Sequence, residues 1–184
     1  SIVHGTTVAT NALLERKGAK TGLLTTLGHR DVLEMRDGLK DDRYNMRLPA
    51  PAPLVPRFLR LGVRERIKPD GSIHTKLDNT SLDEAINKLR EEKVTSVAVC
   101  YLHAYKEPKH EQETKQILEA KLPGVSVSIS SEVFPEIKEY ERVSTTIVNA
   151  YVRPIVENYL NRLEERLKNA GYKGSVLILS LIHI

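Results

Sequence analysis

Val94-Thr95-Ser96-Val97-Ala98-Val99-Cys100-Tyr101-Leu102 is nearly continuous in apolar residues, the pattern of a strand covered on both faces in a parallel sheet. His103 marks its carboxyl end. On the upstream side Ser81 to Glu84 matches a Ser-x-x-Glu capping box, and Leu82, Ala85, Ile86 and Leu89 then form one apolar helix face. On the downstream side Pro108 suits a first helical position, Ile117, Leu118 and Leu122 give that helix its face, and Leu122-Pro123-Gly124 ends it. Val125 to Ser130 reads as the next strand. Strands alternating with helices in this order predict an α/β fold with right-handed crossovers, a mixed sheet and helices on both faces.

Towards the amino terminus, Thr21 to Thr26 is a short strand running into Leu27-Gly28, and Asp31 can cap the segment that follows. The charged run from Arg36 to Arg43 breaks the pattern, and four prolines between Pro49 and Pro56 impose an extended surface connection. Val63, Glu65 and Ile67 answer Ile73, Thr75 and Leu77 across Pro69-Asp70-Gly71, the signal of an inserted hairpin or an antiparallel edge. At the start, Ile2 and Val3 meet Gly5, then Thr6 and Thr7 precede apolar residues at Val8, Ala9, Ala12 and Leu13, which reads as strand, turn and helix, with Lys17-Gly18 as its stop. A strand so short and so polar at its end is an unusual opening for a domain, and leads us to expect a preceding segment.

A long helix is predicted from Glu139 to Asn169, with Val143, Ile147, Tyr151, Ile155, Tyr159, Leu163 and Leu167 recurring every four residues. Such a stripe rotates round the cylinder, so its two halves should face different neighbours. Pro154 removes one helix hydrogen bond midway. Arg142, Thr145, Thr146, Asn149 and Arg153 form a polar face. Gly171 should end the helix, and Val176 to Leu179 begins a last strand.

The 184 residues are 40% apolar, enough for a core, and 28 Lys and Arg against 24 Asp and Glu give a net charge of +4. The charges are mixed along the chain rather than gathered with aromatics, which argues against a nucleic-acid surface. Cys100 is the only cysteine and lies in an apolar run, so a disulfide framework or a cysteine zinc site within the chain is excluded and a reducing, cytoplasmic setting fits. No apolar run approaches the roughly 18 residues of a membrane span.

Three polar clusters could carry chemistry. His4, Gly5, Thr6, Thr7 and Asn11 sit at a strand-to-helix turn, which fits either an anion or carbonyl site or a capped helix with a structural histidine. Glu132, Glu136, Glu139 and Glu141 crowd the segment before Arg142, as a metal or general-base site or as a solvated loop would. His103, with Tyr101 and Tyr105, lies where open α/β sheets bind ligands, although a half-buried structural histidine would look the same. Nothing in the spacing of His4 and His103 requests a metal, and no Gly-x-x-x-x-Gly-Lys-Ser/Thr or Gly-x-Gly-x-x-Gly sequence is present.

Several longer motifs occur in order: His4 to Arg16, Pro53-Leu54-Val55-Pro56-Arg57, Ser131-Glu132-Val133 with Pro135-Glu136, Glu139-Tyr140-Glu141-Arg142 with Ser144-Thr145-Thr146, and Asn149-Ala150-Tyr151-Val152-Arg153-Pro154. Together they resemble the hydantoinase/oxoprolinase family, from about Ser1 to Ile178. The family includes ATP-dependent N-methylhydantoinases, 5-oxoprolinases and acetone-type carboxylase subunits. The resemblance implies part of an actin/sugar-kinase-like ATPase fold. Residues 1–144 would belong to the family's N-terminal region and 145–178 would begin its main domain. The six residues from Leu179 depart from the pattern and are taken as an anomalous tail, with no function placed on His183. The family's phosphate loops, an Asp-x-Gly-Gly-Thr loop and a later glycine-rich one, have no counterpart here.

The activity so implied is ATP-driven opening of a cyclic amide, with ATP and Mg2+ used by the full-length enzyme and neither bound tightly by this stretch alone. His4, Glu132, Glu136, Glu141 and Arg142 would be catalytic. Gly5, Thr6, Thr7, Asn11, His103, Thr145, Thr146 and Asn149 would bind substrate. Expected partners are a small cyclic amide and either further copies of the chain or a subunit of the hydantoinase B type, without nucleic acid or membrane. An acetone-type carboxylase subunit, or a non-catalytic assembly module, is the alternative.

Overall fold

The fold was analysed in a computed structural model that describes residues 1–38, 42, 44–49 and 51–180. Its centre is a four-stranded sheet in the order β3 (Arg60–Val63), β2 (Thr21–Thr26), β6 (Ser96–Cys100) and β7 (Ser126–Ile129). All three pairings are parallel. The expected mixed sheet is therefore corrected. The antiparallel pair β4 (Arg66–Ile67) and β5 (Ile73–Thr75) forms a separate ribbon, while Val63, expected to face it, ends the parallel edge strand β3.

Register explains how the sheet sorts its covering helices. Gly22, Val97 and Val127 align across the strands, as do Leu24, Val99 and Ile129. This face packs on α3 (Asn79–Glu91) and α4 (Lys109–Lys121), with Leu89 of α3 directly over Gly22. The alternate residues include Thr21, Thr25, Ser96, Ala98 and Ser128, a small and hydroxyl-rich face. The first half of α6 (Glu139–Asn169) lies against it. Arg142, Thr146 and Asn149 of the polar stripe thus turn inward, where they meet groups able to hydrogen-bond, while Thr145 and Arg153 stay exposed: Asn149 donates to Ser128 at 3.0 Å. Arg153 likewise donates to the Val127 carbonyl at 3.3 Å.

All the buried residues of α6 lie between Arg142 and Tyr151. Beyond them the helix leaves the main sheet and flanks a second sheet, the parallel pair β1 (Ile2–Thr6) and β8 (Val176–Ser180). Leu160, Leu163 and Leu167 line a cleft of about 520 Å³ with Tyr172, Val176 and Ile178. The apolar stripe therefore does change neighbours along the helix. Gly171, at φ +81°, ends α6 with Tyr172 N–H bonded to Leu167 O and Gly171 N–H to Lys168 O, the paired bonds of a left-handed helix cap. The expected division after Ser144 falls inside this unbroken helix, and Leu179 and Ser180 continue β8. Residues 181–184, with His183, and part of the charged run and proline stretch lie outside the described residues.

Three helix ends differ from expectation. Asp78, not Ser81, caps α3 by accepting from Thr80 N–H at 3.0 Å. Ser81 instead ties the Arg64 amide to the Asp78 carbonyl. Asp31 precedes α2 (Val32–Met35) but makes no cap bond; a bidentate pair with Arg57, 3.1 Å on each arm, claims its carboxylate and holds it below the usual range. After α1 (Val8–Leu14) the left-handed residue is Arg16, at φ +52°, rather than Gly18. Gly18 has another reason to be glycine: a Cβ there would overlap the Tyr151 ring. Gly18→Ala is accordingly expected to destabilise the chain by about 1–3 kcal/mol in urea unfolding, since the buried ring has no free space to retreat into. An unchanged midpoint would show that Tyr151 can move.

Candidate functional site

The carboxyl ends of the main strands gather the densest buried polar chemistry. β6 ends at Cys100, two residues before the apolar run does, because side chains take over its hydrogen bonds. Tyr101 N–H donates to Glu111 at 2.9 Å, and Leu102 N–H donates to the Thr26 hydroxyl at 2.9 Å. The Tyr101 carbonyl accepts from Arg142 at 2.9 Å. Glu111 also accepts from Ser130 Oγ at 2.6 Å and from Ser131 N–H at 2.8 Å. Arg142 reaches the same Ser130 hydroxyl at 3.3 Å and lies 5.6 Å over the Tyr105 ring.

Burial raises the Glu111 carboxyl, while its hydrogen bonds oppose that shift. With both oxygens accepting, the ionised form is the one this geometry accommodates. A second buried acid stands beside it. Glu65 accepts from Thr26 and pairs with His110 Nδ1 at 2.8 Å. Burial pushes the neighbouring Cys100 thiol up to about 12, so it is an unreactive core residue.

His103 follows at φ +58°, left-handed for a non-glycine residue. Its Nδ1 is buried with no partner among the described residues, and its ring meets Tyr105 edge-on at 6.0 Å. Burial lowers its pKa; Glu139 opposes this, and Arg66, Arg142 and His29 add to it.

The opening segment lies elsewhere. His4 Nε2 is 2.5 Å from the Tyr159 hydroxyl, and the two rings stack at 5.9 Å. Thr6 Oγ1 accepts from Val8 N–H at 3.3 Å, while Thr7 makes no cap bond and accepts from the Asn11 amide at 3.2 Å. Gly5 is exposed, with nothing within 4 Å of where a Cβ would stand. Arg142 and Tyr159 are 17 residues apart on α6, roughly 25 Å at 1.5 Å per residue. The opening cluster and the cluster at the main sheet are therefore separate polar regions.

The acidic segment is mostly outside both. Glu132 pairs with Lys115 at 2.8 Å and Glu141 with Lys138 at 3.0 Å, and Glu136 is exposed. Thr145 is exposed as well, whereas Thr146 is buried and donates to the Arg142 carbonyl at 2.6 Å. Arg142 itself is only 1% exposed, and its bonds go to protein groups. Sequence reading places Glu65 only in the hairpin and does not reach His110 and Glu111, so none of the three is read as a site residue. The available hint was their position: His110 and Glu111 follow Pro108 in the first turn of a helix that begins at the ligand end of a parallel sheet. No group of three His, Cys, Asp or Glu side chains placed to hold a metal occurs among the described residues, and no helix among them is long and apolar enough to cross a membrane.

The family described as hydantoinase/oxoprolinase N-terminal region matches residues 1–122, and the hydantoinase/oxoprolinase family matches residues 142–181. The chain belongs to the hydantoinase/oxoprolinase family.

Among individual relatives, caprolactamase subunit alpha of Pseudomonas jessenii is 44% identical over 171 residues, which is 92% of this chain and 25% of the relative. The crystal structure of the ATP-dependent caprolactamase from that organism superposes with a TM-score of 0.89 at 42% identity, covering 96% of this chain and 26% of that one. A nucleotide-free acetone carboxylase structure gives a TM-score of 0.82 at 26% identity, again covering 96% of this chain and 26% of the other. The 5-oxoprolinase of Saccharomyces cerevisiae is 29% identical over 92% of this chain and 15% of its own length. The chain thus spans about a quarter or less of the relatives it matches.

Proposed function

We propose that this chain supplies the N-terminal region of an ATP-dependent enzyme that opens a cyclic amide. The observation that carries this reading is the agreement with caprolactamase in both sequence and fold along nearly the whole chain. Amide resonance makes the ring carbonyl a poor electrophile, which is why such a hydrolysis would be coupled to ATP. The chain has no Gly-x-x-x-x-Gly-Lys-Ser/Thr or Gly-x-Gly-x-x-Gly sequence of its own. No step is assigned to its residues through the nucleotide or Mg2+.

Their part is to bind and orient. At the end of β1, Gly5 leaves the backbone open to close approach, and Thr6, Thr7 and Asn11 present hydroxyl and amide groups beside it. His4, steadied by Tyr159, stands on the same strand as a proton donor or acceptor for a ring carbonyl or N–H. His103 lies in the other polar region, at the carboxyl end of the main sheet. Glu132, Glu136 and Glu141 supply the carboxylates that would activate water, and Thr145 and Asn149 the polar wall. The caprolactamase relative is named as a subunit, so a second subunit is the expected partner.

The test uses a polypeptide of the relatives' full length carrying this sequence, with its partner subunit. MgATP-dependent ring opening is assayed on ε-caprolactam, 5-oxoproline and hydantoin. Turnover of at least one is expected. Inactivity on all three together with bicarbonate-dependent consumption of acetone would replace this reading by the carboxylase one, which the acetone carboxylase likeness favours.

A further inference from the structure

The two residues before His103 are held at three backbone atoms by side chains from three other elements. Glu111 of α4 takes Tyr101 N–H, Arg142 of α6 takes Tyr101 C=O, and Thr26 of β2 takes Leu102 N–H. Strand ends usually leave such groups to the ladder or to water. The Thr26 hydroxyl accepts from Leu102 while donating to Glu65, so its orientation is set from both sides. Glu65 is fixed in turn by His110. His110 and Glu111 are adjacent in the first turn of α4, and one helix turn thereby anchors both networks.

Two buried carboxylates are a costly way to end a strand when apolar residues of similar size would serve. The residue that follows immediately is His103, in a backbone conformation that non-glycine residues seldom adopt and that persists only where its surroundings impose it.

We propose that the Thr26–Glu65–His110 and Glu111–Ser130–Arg142 networks form a clamp that presents the His103 imidazole to a ligand at the carboxyl end of the main sheet. Thr26, Glu65, His110 and Glu111 are then positioning residues, and His103 is the group that touches the ligand. The ligand class, a small molecule with a polar amide group, rests on the cyclic-amide reading above. The clamp itself does not.

Imidazole 15N–1H spectra of the chain titrated with pH, with His103 assigned through His103→Gln, read the clamp directly. The charged groups that bias the ring are Glu139, Arg66, Arg142 and His29. In the wild type, His103 should titrate below the usual value of 6.5, because burial disfavours its charged form. Thr26→Val keeps the volume and removes both hydroxyl bonds; the loosened ring should gain water and its midpoint should rise by about 0.3 pH unit or more. Thr26→Ser should restore the wild-type titration, which a loss of packing alone would not explain. Should Thr26→Val fail to fold, His110→Asn loosens Glu65 from its other side and carries the same expectation. A folded variant with an unshifted His103 midpoint overturns the clamp.

In the full-length enzyme, His103→Gln and Thr26→Val should each lower kcat/KM for ring opening by about tenfold, with Thr26→Ser within about threefold of wild type. A wild-type rate for His103→Gln overturns the ligand contact. If the wild-type enzyme opens no ring at all, the cyclic-amide reading fails while the titration still decides the clamp.

Discussion

Arg142→Ala is expected to destabilise the chain by about 3–5 kcal/mol, the range for removing one member of a buried, hydrogen-bonded charge system. The guanidinium is 1% exposed and bonds to the Tyr101 carbonyl and the Ser130 hydroxyl. Truncation would leave a buried backbone carbonyl with one bond fewer, a void against the Tyr105 ring, and the Glu111 carboxylate without the positive charge that Ser130 relays to it. Each of these is a recognised source of large losses. Urea unfolding of the chain measures the effect, as a lower midpoint with an unchanged slope.

The charge component can be isolated. In an Arg142→Met background, Glu111→Gln should be less damaging than it is alone, with a coupling of about 0.5–3 kcal/mol. Strict additivity would mean that the arginine acts only by filling space.

The second large effect concerns activity. His4→Ala in the full-length enzyme is expected to lower MgATP-dependent ring opening at least tenfold, which is about 1.4 kcal/mol of transition-state stabilisation. His4 is half-buried on β1 and its one described hydrogen bond goes to Tyr159. The alanine variant should therefore unfold within about 1 kcal/mol of wild type, so that lost activity would not be lost fold. Tyr159→Phe keeps the stacked ring and removes the hydroxyl; a smaller loss, about threefold, is expected from a less firmly oriented imidazole. Wild-type turnover in His4→Ala would remove this residue from the reaction.

These two residues show how unevenly the site was legible. His4 was singled out because strand, turn and helix follow one another within a dozen positions, a local pattern. Arg142 is legible as polar but not as buried. Three- and four-residue spacing put it on a polar stripe with Thr146 and Asn149, and polar stripes usually face water. Here the stripe meets Ser128 and the carbonyls at the strand ends, partners 12 to 41 positions away that no local pattern can display. Glu65 and His110 are harder still. Their pairing spans 45 residues, and each taken singly has the composition of a solvated surface residue.

Periodicity and chain chemistry were enough for the elements that depend on neighbours in sequence. β2 and α6 fall within the bounds expected for them, because a helix's hydrogen bonds link residues four apart and a central strand such as β2, buried at every position, is one short continuous run. The alternation of strand and helix was likewise enough for the α/β class. Tertiary structure alone decided that the main sheet is wholly parallel, that β1 pairs with β8 from the other end of the chain, and that Glu65, His110, Glu111 and Arg142 are buried behind His103. The reason is energetic: a carboxylate stays in the interior only if donors from distant segments meet it there, and which segments meet is a property of the packed fold rather than of any stretch of the chain.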